Sequence, residues 1–374
     1  MSFASASIRL CDLFNHGTLY RDFYDTLAAT SRPCTQTINV SQPPRILHLI
    51  DRLDGYGLSR QLELLVAHQL AQGMTPTVLA LRGRRGLVRR LGQQGLAIRT
   101  LDRRWVRDPF VAVRLVSELR RHKYDLLHLW GHSAVSYVQA VDRFVPRGPR
   151  ITSVPDEELL VGIDAPPTVS TSRAEFLAKE QLPANAKLIA VAGPLVRSQQ
   201  VDEAIWHFEL VRTLDEEVCL LIFGDGPDNH RLERFTRLTS EPSAVRFLGY
   251  RRDFRELLTH VDVFWHTAKA ERALPQTVLE AMAAGIPVVV NETGNCRKLV
   301  DHGNTGYLVP ENDRAIFARY TRKLLQEPDH AREIGMSAVV DIAERFAVED
   351  VIDTYRERYA AACAQLAPHG NLTV

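Results

Sequence analysis

Residues that could bind an anion or move a proton gather in two segments of this 374-residue sequence. In one, Glu271, Arg272 and Glu280 surround a predicted helix start. In the other, His128 and His132 lie at the end of an apolar stretch. An arginine beside free helix N–H groups can hold a phosphate through two hydrogen bonds, and a histidine after a strand can act as a base or bind a sugar hydroxyl. The residue types therefore indicate an anionic ligand and a hydroxyl-bearing one.

The first segment lies between two predicted strands. Residues 261–265 and 288–290 are short apolar runs, and a helix is predicted to begin near Gln276 and to stop at Gly285. A loop that leaves a strand and enters a helix presents free N–H groups at the carboxyl edge of a parallel sheet, which suits an anion. Ordinary α/β scaffolding remains the competing interpretation, because such a fold does not fix a function.

The same pattern of elements recurs along the chain. Thr277 is predicted to cap the helix that begins near Gln276. Further strands are predicted over residues 45–50, 76–81, 95–101, 187–192 and 218–223, with another from residue 124. Helices are predicted over residues 61–72, 109–122 and 348–366. The core side of the second of these helices is predicted to carry Phe110, Val113, Leu115, Val116 and Leu119. Such alternation predicts an α/β protein with parallel sheets.

The sequence RALPQTVLEAMAAGIPVVV, followed by GNTGYLVP, resembles the signature of the retaining GT-B glycosyltransferases of family 4. The resemblance implies that Glu280 holds the ribose hydroxyls of a nucleotide-sugar. The family's sugar-contacting glutamate falls eight positions earlier, where this chain has Arg272, and Glu271 stands one place before it. The resemblance also adds Pro275, Gln276 and Thr277 to the donor site.

The resemblance extends along the C-terminal half. Pro194 and Gln199 stand where the family has an arginine and a lysine that neutralise the donor diphosphate, and Arg197 between them is expected to substitute in part. The turn of Gly249 and Tyr250 matches the family's V-x-F-L-G segment, whose backbone contacts the nucleotide base. These positions complete the predicted donor site.

The N-terminal half carries weaker similarities. Gly57 and Arg60 match two positions of the glycine-rich G-G-x-E-R loop of the family's acceptor domain. Glycine in such a turn permits a positive φ and a close approach of ligand to backbone. A similar D-x-x-H-x-H stretch in relatives implies that a histidine reaches the donor sugar. His132 is the first candidate because it lies beyond the strand, His128 is the second, and a structural role remains the alternative.

The resemblance implies the GT-B fold, in which two Rossmann-like domains with parallel sheets face an interdomain cleft. Only 54 residues separate His132 from Lys187, so the N-terminal domain is expected to be abbreviated. The predicted organisation is an N-terminal extension (1–43), an acceptor-side domain (44–168), a nucleotide-sugar-binding domain (169–347) and a C-terminal helix that crosses back to the first domain (348–374).

The implied reaction moves a sugar from a nucleotide-diphospho-sugar to an acceptor hydroxyl with retained configuration, in polysaccharide or glycolipid synthesis. No cofactor is implied. No metal is implied either, because Asp225-Gly-Pro-Asp228 lacks a D-x-D arrangement and the resembled fold works without one. A catalytically degenerate partner subunit stays open, since four family charges are altered, at Pro194, Gln199, Arg272 and Lys298. A nucleotide-sugar epimerase on the same architecture is less favoured.

Charge is distributed unevenly. Residues 44–150 contain 19 Lys and Arg against 8 Asp and Glu, whereas residues 151–374 contain 24 against 34. The arginines between Arg82 and Arg107 lie around Trp105 in the sequence, a combination that suits anionic lipid or an anionic or lipid-linked acceptor, although a solvated face is equally compatible. Nucleic acid is not expected, because no recognition motif accompanies the charge. Without a predicted membrane span or signal, the expected location is cytoplasmic, either in solution or peripheral at the inner membrane surface.

Overall fold

The computed structural model describes residues 44–105, 108–121, 124–145, 148–155, 160–241, 243–269 and 273–364. The predicted N-terminal extension and the candidate residues Glu271 and Arg272 lie outside the described residues. The described chain forms two compact units, one from residues 44–162 and 346–364 and the other from residues 163–345.

The N-terminal unit is built on one parallel sheet. Its strands are β1 (Ile46–Ile50), β2 (Thr77–Ala80), β3 (Ala97–Thr100), β4 (Leu126–Trp130) and β5 (Arg150–Ser153). Its first helices are α1 (Leu58–Ala71), α2 (Arg85–Gln93), α3 (Pro109–Arg121) and α4 (His132–Val141). The strand order is β3-β2-β1-β4-β5, so the order reverses between β1 and β4. Open α/β sheets bind ligands outside the carboxyl ends of the strands at such a reversal.

The C-terminal unit is built on a second parallel sheet. Its strands are β6 (Lys187–Ala192), β7 (Val218–Phe223), β8 (Val245–Gly249), β9 (Val263–His266), β10 (Val288–Asn291) and β11 (Tyr307–Val309). Its helices are α5 (Arg173–Lys179), α6 (Val201–Arg212), α7 (Asn229–Thr239), α8 (Phe254–Leu258), α9 (Gln276–Ala283), α10 (Cys296–Leu299), α11 (Arg314–Gln326) and α12 (Pro328–Arg345). The order β11-β10-β9-β6-β7-β8 reverses between β6 and β9.

The last described helix, α13 (Val348–Ala364), belongs to the N-terminal unit. Its buried tyrosines bind the sheet: the Tyr355 hydroxyl lies 2.8 Å from Ser153 Oγ, and the Tyr359 hydroxyl lies 2.8 Å from His128 Nδ1. These polar contacts, together with apolar packing of Ile352, hold α13 against β4 and β5.

Most predicted elements are confirmed, and β6 and β7 begin and end at the predicted residues. The predicted core face of α3 is partly wrong. Its buried stripe is Val111, Leu115 and Leu119, whereas the side chains of Phe110 and Val113 are exposed. Four-residue spacing keeps the buried three on one helix face, and Phe110 and Val113 fall outside that stripe.

The predicted cap of α9 is also wrong. The helix begins at Gln276, so Pro275 is the N-cap residue, and its side chain makes no capping hydrogen bond. Thr277 lies inside the first turn and donates its hydroxyl hydrogen to the carbonyl oxygen of Ala192, 3.3 Å away at the end of β6. Within the described residues, no helix combines the length and apolar character needed to cross a bilayer.

Candidate functional site

The predicted donor residues of the C-terminal unit converge on the point where its strand order reverses. The loop after β6 contains a 3₁₀ turn over Arg197–Gln199, and the loop after β9 leads into α9. Both loops leave the carboxyl ends of adjacent parallel strands, as the pairing of Val191 with Trp265 shows. The hydrogen bond from Thr277 to Ala192 fixes the first turn of α9 beside the end of β6. The arrangement forms the kind of crevice in which open α/β sheets bind ligands.

Two buried polar residues hold the loop after β6 in place. The hydroxyl of Thr267 lies 3.1 Å from the carbonyl oxygen of Gln199 and 3.0 Å from that of Gln200, to which it donates. Asn291 Nδ2 donates in turn to the carbonyl of Thr267, at 2.7 Å. Neither residue was among the predicted site residues. The signal that could have found them is a polar side chain at the end of an apolar strand.

Arg197 is the described cation in the loop after β6. Its side chain is 73% exposed, and its Nε lies 3.6 Å from Asp228 Oδ2. Asp228 also accepts a hydrogen bond of 3.1 Å from Arg231, which binds Asp202 as well. Because Asp228 already has a second cationic partner, Arg197 can turn toward an anionic ligand without leaving a buried carboxylate unpaired.

Helix α9 contributes Gln276 and Glu280. The two side chains stand one turn apart on one face of the helix, and both residues are buried. A carboxylate can accept hydrogen bonds from two vicinal hydroxyls, and the first-turn N–H groups of the helix favour an anion. Glu280 can therefore accept hydrogen bonds from hydroxyl groups, and the start of the same short helix can bind an anion.

The loops after β7 and β8 extend the same edge of the sheet. Gly249 has a φ of +63°, and no heavy atom lies within 4 Å of the position that a Cβ would occupy. Its carbonyl accepts a hydrogen bond of 2.7 Å from the N–H of Gly224. The half-buried Tyr250 follows. Open space beside a fixed backbone turn is compatible with a flat ligand such as a nucleotide base.

The N-terminal unit places His132 at its own reversal of strand order. His132 is exposed and is the first residue of α4, directly beyond β4. Asp51, which follows β1, accepts hydrogen bonds from the backbone N–H groups of Ser133, at 3.0 Å, and Ala134. Asp51 thus orients the helix start that carries His132. It was not among the predicted residues, although an acidic residue directly after a strand is a visible signal.

Gly57 stands at the start of α1 with a φ of +47°, and no heavy atom lies within 4 Å of its Cβ position. The preceding turn is held by Ser59, whose hydroxyl oxygen accepts hydrogen bonds from the N–H groups of Asp54, at 3.1 Å, and Gly55, at 2.9 Å. Ser59 departs from the family motif in sequence, and here it organises the turn.

His128 occupies a different environment from His132. It is fully buried, with Nδ1 2.8 Å from the Tyr359 hydroxyl and Nε2 2.9 Å from Ser153 Oγ. Burial holds the pKa of His128 well below its ordinary value, so the ring is neutral. The geometry favours His132 over His128 as the residue that meets a ligand.

Most of the C-terminal unit matches a known protein family. Residues 172–339 match the family model described as glycosyl transferases group 1. This segment is similar to the group 1 glycosyl transferases. It contains every strand of the second sheet and all the described donor-site candidates of the C-terminal unit.

The chain spans less than two thirds of the length of the curated relatives that it matches. The N-acetyl-alpha-D-glucosaminyl L-malate synthase of Bacillus anthracis is 27% identical over 161 residues, which are 43% of this chain and 42% of that protein. The GDP-mannose-dependent alpha-mannosyltransferase of Mycobacterium tuberculosis is 30% identical over 151 residues, 40% of this chain and 37% of that protein.

Solved structures share the fold over most of the chain. The Anabaena protein HepE, in complex with UDP and glucose, has a TM-score of 0.70 and 18% identity, over 85% of this chain and 100% of that one. The lipopolysaccharide glycosyltransferase WaaG has a TM-score of 0.65 and 16% identity, over 84% and 99%. The predicted GT-B fold class is confirmed.

Proposed function

We propose that this protein is a retaining glycosyltransferase that moves a sugar from a nucleotide-diphospho-sugar to an acceptor hydroxyl, in polysaccharide or glycolipid synthesis. The observation that carries the proposal is the placement of Arg197, Gln276 and Glu280 at the strand-order reversal of a segment that matches the glycosyl transferases group 1 model. The similarity to HepE, solved with UDP and glucose, and to a GDP-mannose-dependent enzyme supports a nucleotide-sugar donor.

Each group has a role in the proposed reaction. Glu280 binds the ribose hydroxyls, and the backbone at Gly249 and Tyr250 meets the base. Arg197, with Arg272 and the N–H groups at the start of α9, holds the diphosphate. As the glycosidic bond breaks, negative charge develops on the departing diphosphate, and these donors stabilise it. Fixed hydrogen-bond donors of this kind commonly provide the largest single share of a rate enhancement.

Arg197 can stabilise the departing diphosphate in place of the two cations that the family carries in this loop. The family's cations at Pro194 and Gln199 are absent, but Arg197 lies between them in sequence and keeps an exposed guanidinium. His132 or Glu271 is the proposed group that binds the transferred sugar. His132 has the geometry for this role, because Asp51 fixes the helix start from which it projects.

Turnover with stereochemical analysis tests the proposal. Purified protein is incubated with UDP-glucose, UDP-N-acetylglucosamine and GDP-mannose, and proton NMR follows the first sugar transferred to an acceptor or to water. Retention predicts that an α-linked donor gives an α-configured product. His132→Ala should lower the rate by about 100-fold, as expected for loss of a positioned catalytic group. Ser136→Ala, one turn further along α4, is the matched control and should leave the rate unchanged.

Inverted product would overturn the retaining mechanism. Tight nucleotide binding without turnover on any donor would favour the non-catalytic partner subunit instead. Epimerised donor recovered without transfer would favour the epimerase.

A further inference from the structure

An exposed aromatic and basic surface lies along α3, at a distance in sequence from the donor residues. Its apolar side chains are exposed to an unusual degree: Trp105 52%, Phe110 65%, Val113 70% and Phe144 45%. Its exposed cationic residues include Arg104, Arg114, Arg120, Arg121 and Arg143. We call these nine residues the α3 surface.

Hydrogen bonds at both ends of α3 connect the flanking residues of the α3 surface to the helix. Asp108 accepts hydrogen bonds of 3.1 Å from the backbone N–H groups of Arg104 and Phe110, which hold the segment carrying Trp105 at the start of the helix. At the other end, Arg120 Nε donates to the carbonyl oxygen of Phe144, at 2.8 Å. Aromatic side chains therefore stand at both ends of a helix about 20 Å long.

The spacing along α3 gives an outward stripe. Phe110, Val113, Arg114 and Arg121 are exposed at intervals of three, one and seven residues, which keeps them on one side of the helix. The buried stripe of Val111, Leu115 and Leu119 attaches the opposite side to the core. The helix thus lies flat on the unit, with its apolar and basic face turned to solvent.

The charge around the α3 surface is strongly one-sided. Glu118 is already paired with Arg99, at 3.2 Å, and Asp142 with Arg150, at 2.5 Å. Within the described part of the chain, neither Arg114 nor Arg121 lies within ion-pair distance of a carboxylate. A binding partner for this surface must therefore be anionic and must also accept apolar side chains.

We propose that the α3 surface docks this protein on anionic lipid bilayers. A helix that lies in the plane of a bilayer buries aromatic and aliphatic side chains at the headgroup boundary, while its basic side chains meet anionic headgroups. Trp105 and Phe144 at the two ends match the preference of aromatic rings for that boundary. Apolar burial and charge attraction act together here, whereas a purely charged polymer would use the arginines alone.

Vesicle binding and tryptophan quenching test the proposal on the full chain. The vesicles are phosphatidylcholine, with or without 30 mol% phosphatidylglycerol, a composition of about one-third anionic lipid chosen to resemble a charged leaflet. A Trp206→Phe background removes the other partly exposed tryptophan, since Trp130 and Trp265 are fully buried. Trp105 emission should shift to the blue and be quenched by brominated acyl chains only when anionic lipid is present.

Two sets of variants separate the contributions. Phe110→Ser with Val113→Ser should lower the partition coefficient on anionic vesicles at least tenfold, while Leu238→Ser, which changes an exposed leucine on α7, should not. Arg114→Glu with Arg121→Glu should lower it tenfold or more, whereas Arg322→Glu on α11 should have little effect.

The proposal is overturned if wild type binds both vesicle types equally weakly, or if binding leaves Trp105 unquenched. Binding to anionic vesicles that survives Phe110→Ser with Val113→Ser would reduce the surface to a charged patch and would also contradict it. Circular dichroism of each variant checks the fold, which these exposed substitutions should preserve.

Discussion

At the scale of single residues, the loop after β6 combines the exposed cation of Arg197 with a strained backbone conformation at Gln200. Gln200 adopts a left-handed conformation, with φ +48° and ψ +44°, between the 3₁₀ turn and α6. This conformation costs a residue with a Cβ about 1 kcal/mol, and glycine adopts it freely. Residues 199–202 resemble a K-G-x-D segment of the family, which has glycine where this chain has Gln200, so the chain keeps the turn although its residue type has changed.

Replacing Gln200 by glycine should therefore stabilise the C-terminal unit. We expect Gln200→Gly to raise the free energy of unfolding by about 1 kcal/mol, as measured by urea denaturation. Arg322→Gly, which introduces glycine within helix α11, should lower it by about 1 kcal/mol. Equal effects of the two variants would contradict the strained turn.

At the scale of elements, the crevice of the C-terminal unit depends on polar side chains at strand ends. Thr267 after β9 binds the loop after β6, and Asn291 at the end of β10 binds the carbonyl of Thr267. These contacts fix the backbone carbonyls of Gln199 and Gln200, in the loop that carries Arg197, so the position of this backbone does not depend on the side chains of the two glutamines.

Removal of the Thr267 hydroxyl should weaken donor binding. We expect Thr267→Val to raise the dissociation constant of the bound nucleotide by about tenfold, since one net hydrogen bond of about 1 kcal/mol is lost and two carbonyls lose a buried donor. Thr236→Val is the matched control, because Thr236 is buried and bonds only within α7. Titration calorimetry measures both. Equal weakening by both variants would point to general destabilisation.

Element types could be predicted from the sequence because apolar runs of four to six residues, such as those of β6 and β7, are separated by helical patterns. It is harder to predict from the sequence which face of a helix packs against the core. Phe110 and Val113 are as apolar as Val111 and Leu115, and only tertiary packing decides which of them meet the core. Thr277 was misplaced because capping depends on the exact first residue of a helix.

Site residues show the same limit. Glu280, Gln276 and Gly249 could be proposed from the sequence because local motifs carry them. Asp51 and Thr267 were missed, since their roles arise from contacts with residues far along the chain: Asp51 meets Ser133, and Thr267 meets Gln199. Sequence resemblance suggests residues that would touch a ligand more readily than residues that position them.

At the scale of the whole molecule, a buried histidine network that is separate from the proposed donor site affects stability. The N-terminal unit contains a buried polar network in which Trp130 Nε1 donates to His48 Nδ1, at 3.2 Å, and His48 Nε2 faces Gln69 Oε1, at 3.1 Å. His128 packs beside His48, with ring centroids 5.3 Å apart, and Arg358 disfavours a further positive charge. Burial lowers the pKa of His48 to about 4.

This network predicts acid sensitivity. Below pH 6.5 His48 is protonated in the unfolded chain, whereas in the folded protein it stays neutral until about pH 4. The free energy of unfolding therefore falls as the pH decreases from 6.5 to about 4. Between pH 7 and pH 5 the loss from His48 should be about 2 kcal/mol, with a further loss in the same direction from His128. Urea unfolding at the two pH values measures it. His230→Gln, at an exposed site, should leave the difference unchanged, whereas a stability independent of pH would contradict the buried neutral rings.

Calorimetric titration with UDP, GDP and ADP tests most directly whether the crevice between β6 and β9 binds a nucleotide. We expect micromolar binding of one of the three. Glu280→Gln should weaken this binding at least tenfold, because a charge-assisted hydrogen bond to ribose is lost, while Glu311→Gln on the surface should have no effect. Failure of the wild-type protein to bind any of the three nucleotides would contradict the proposed function.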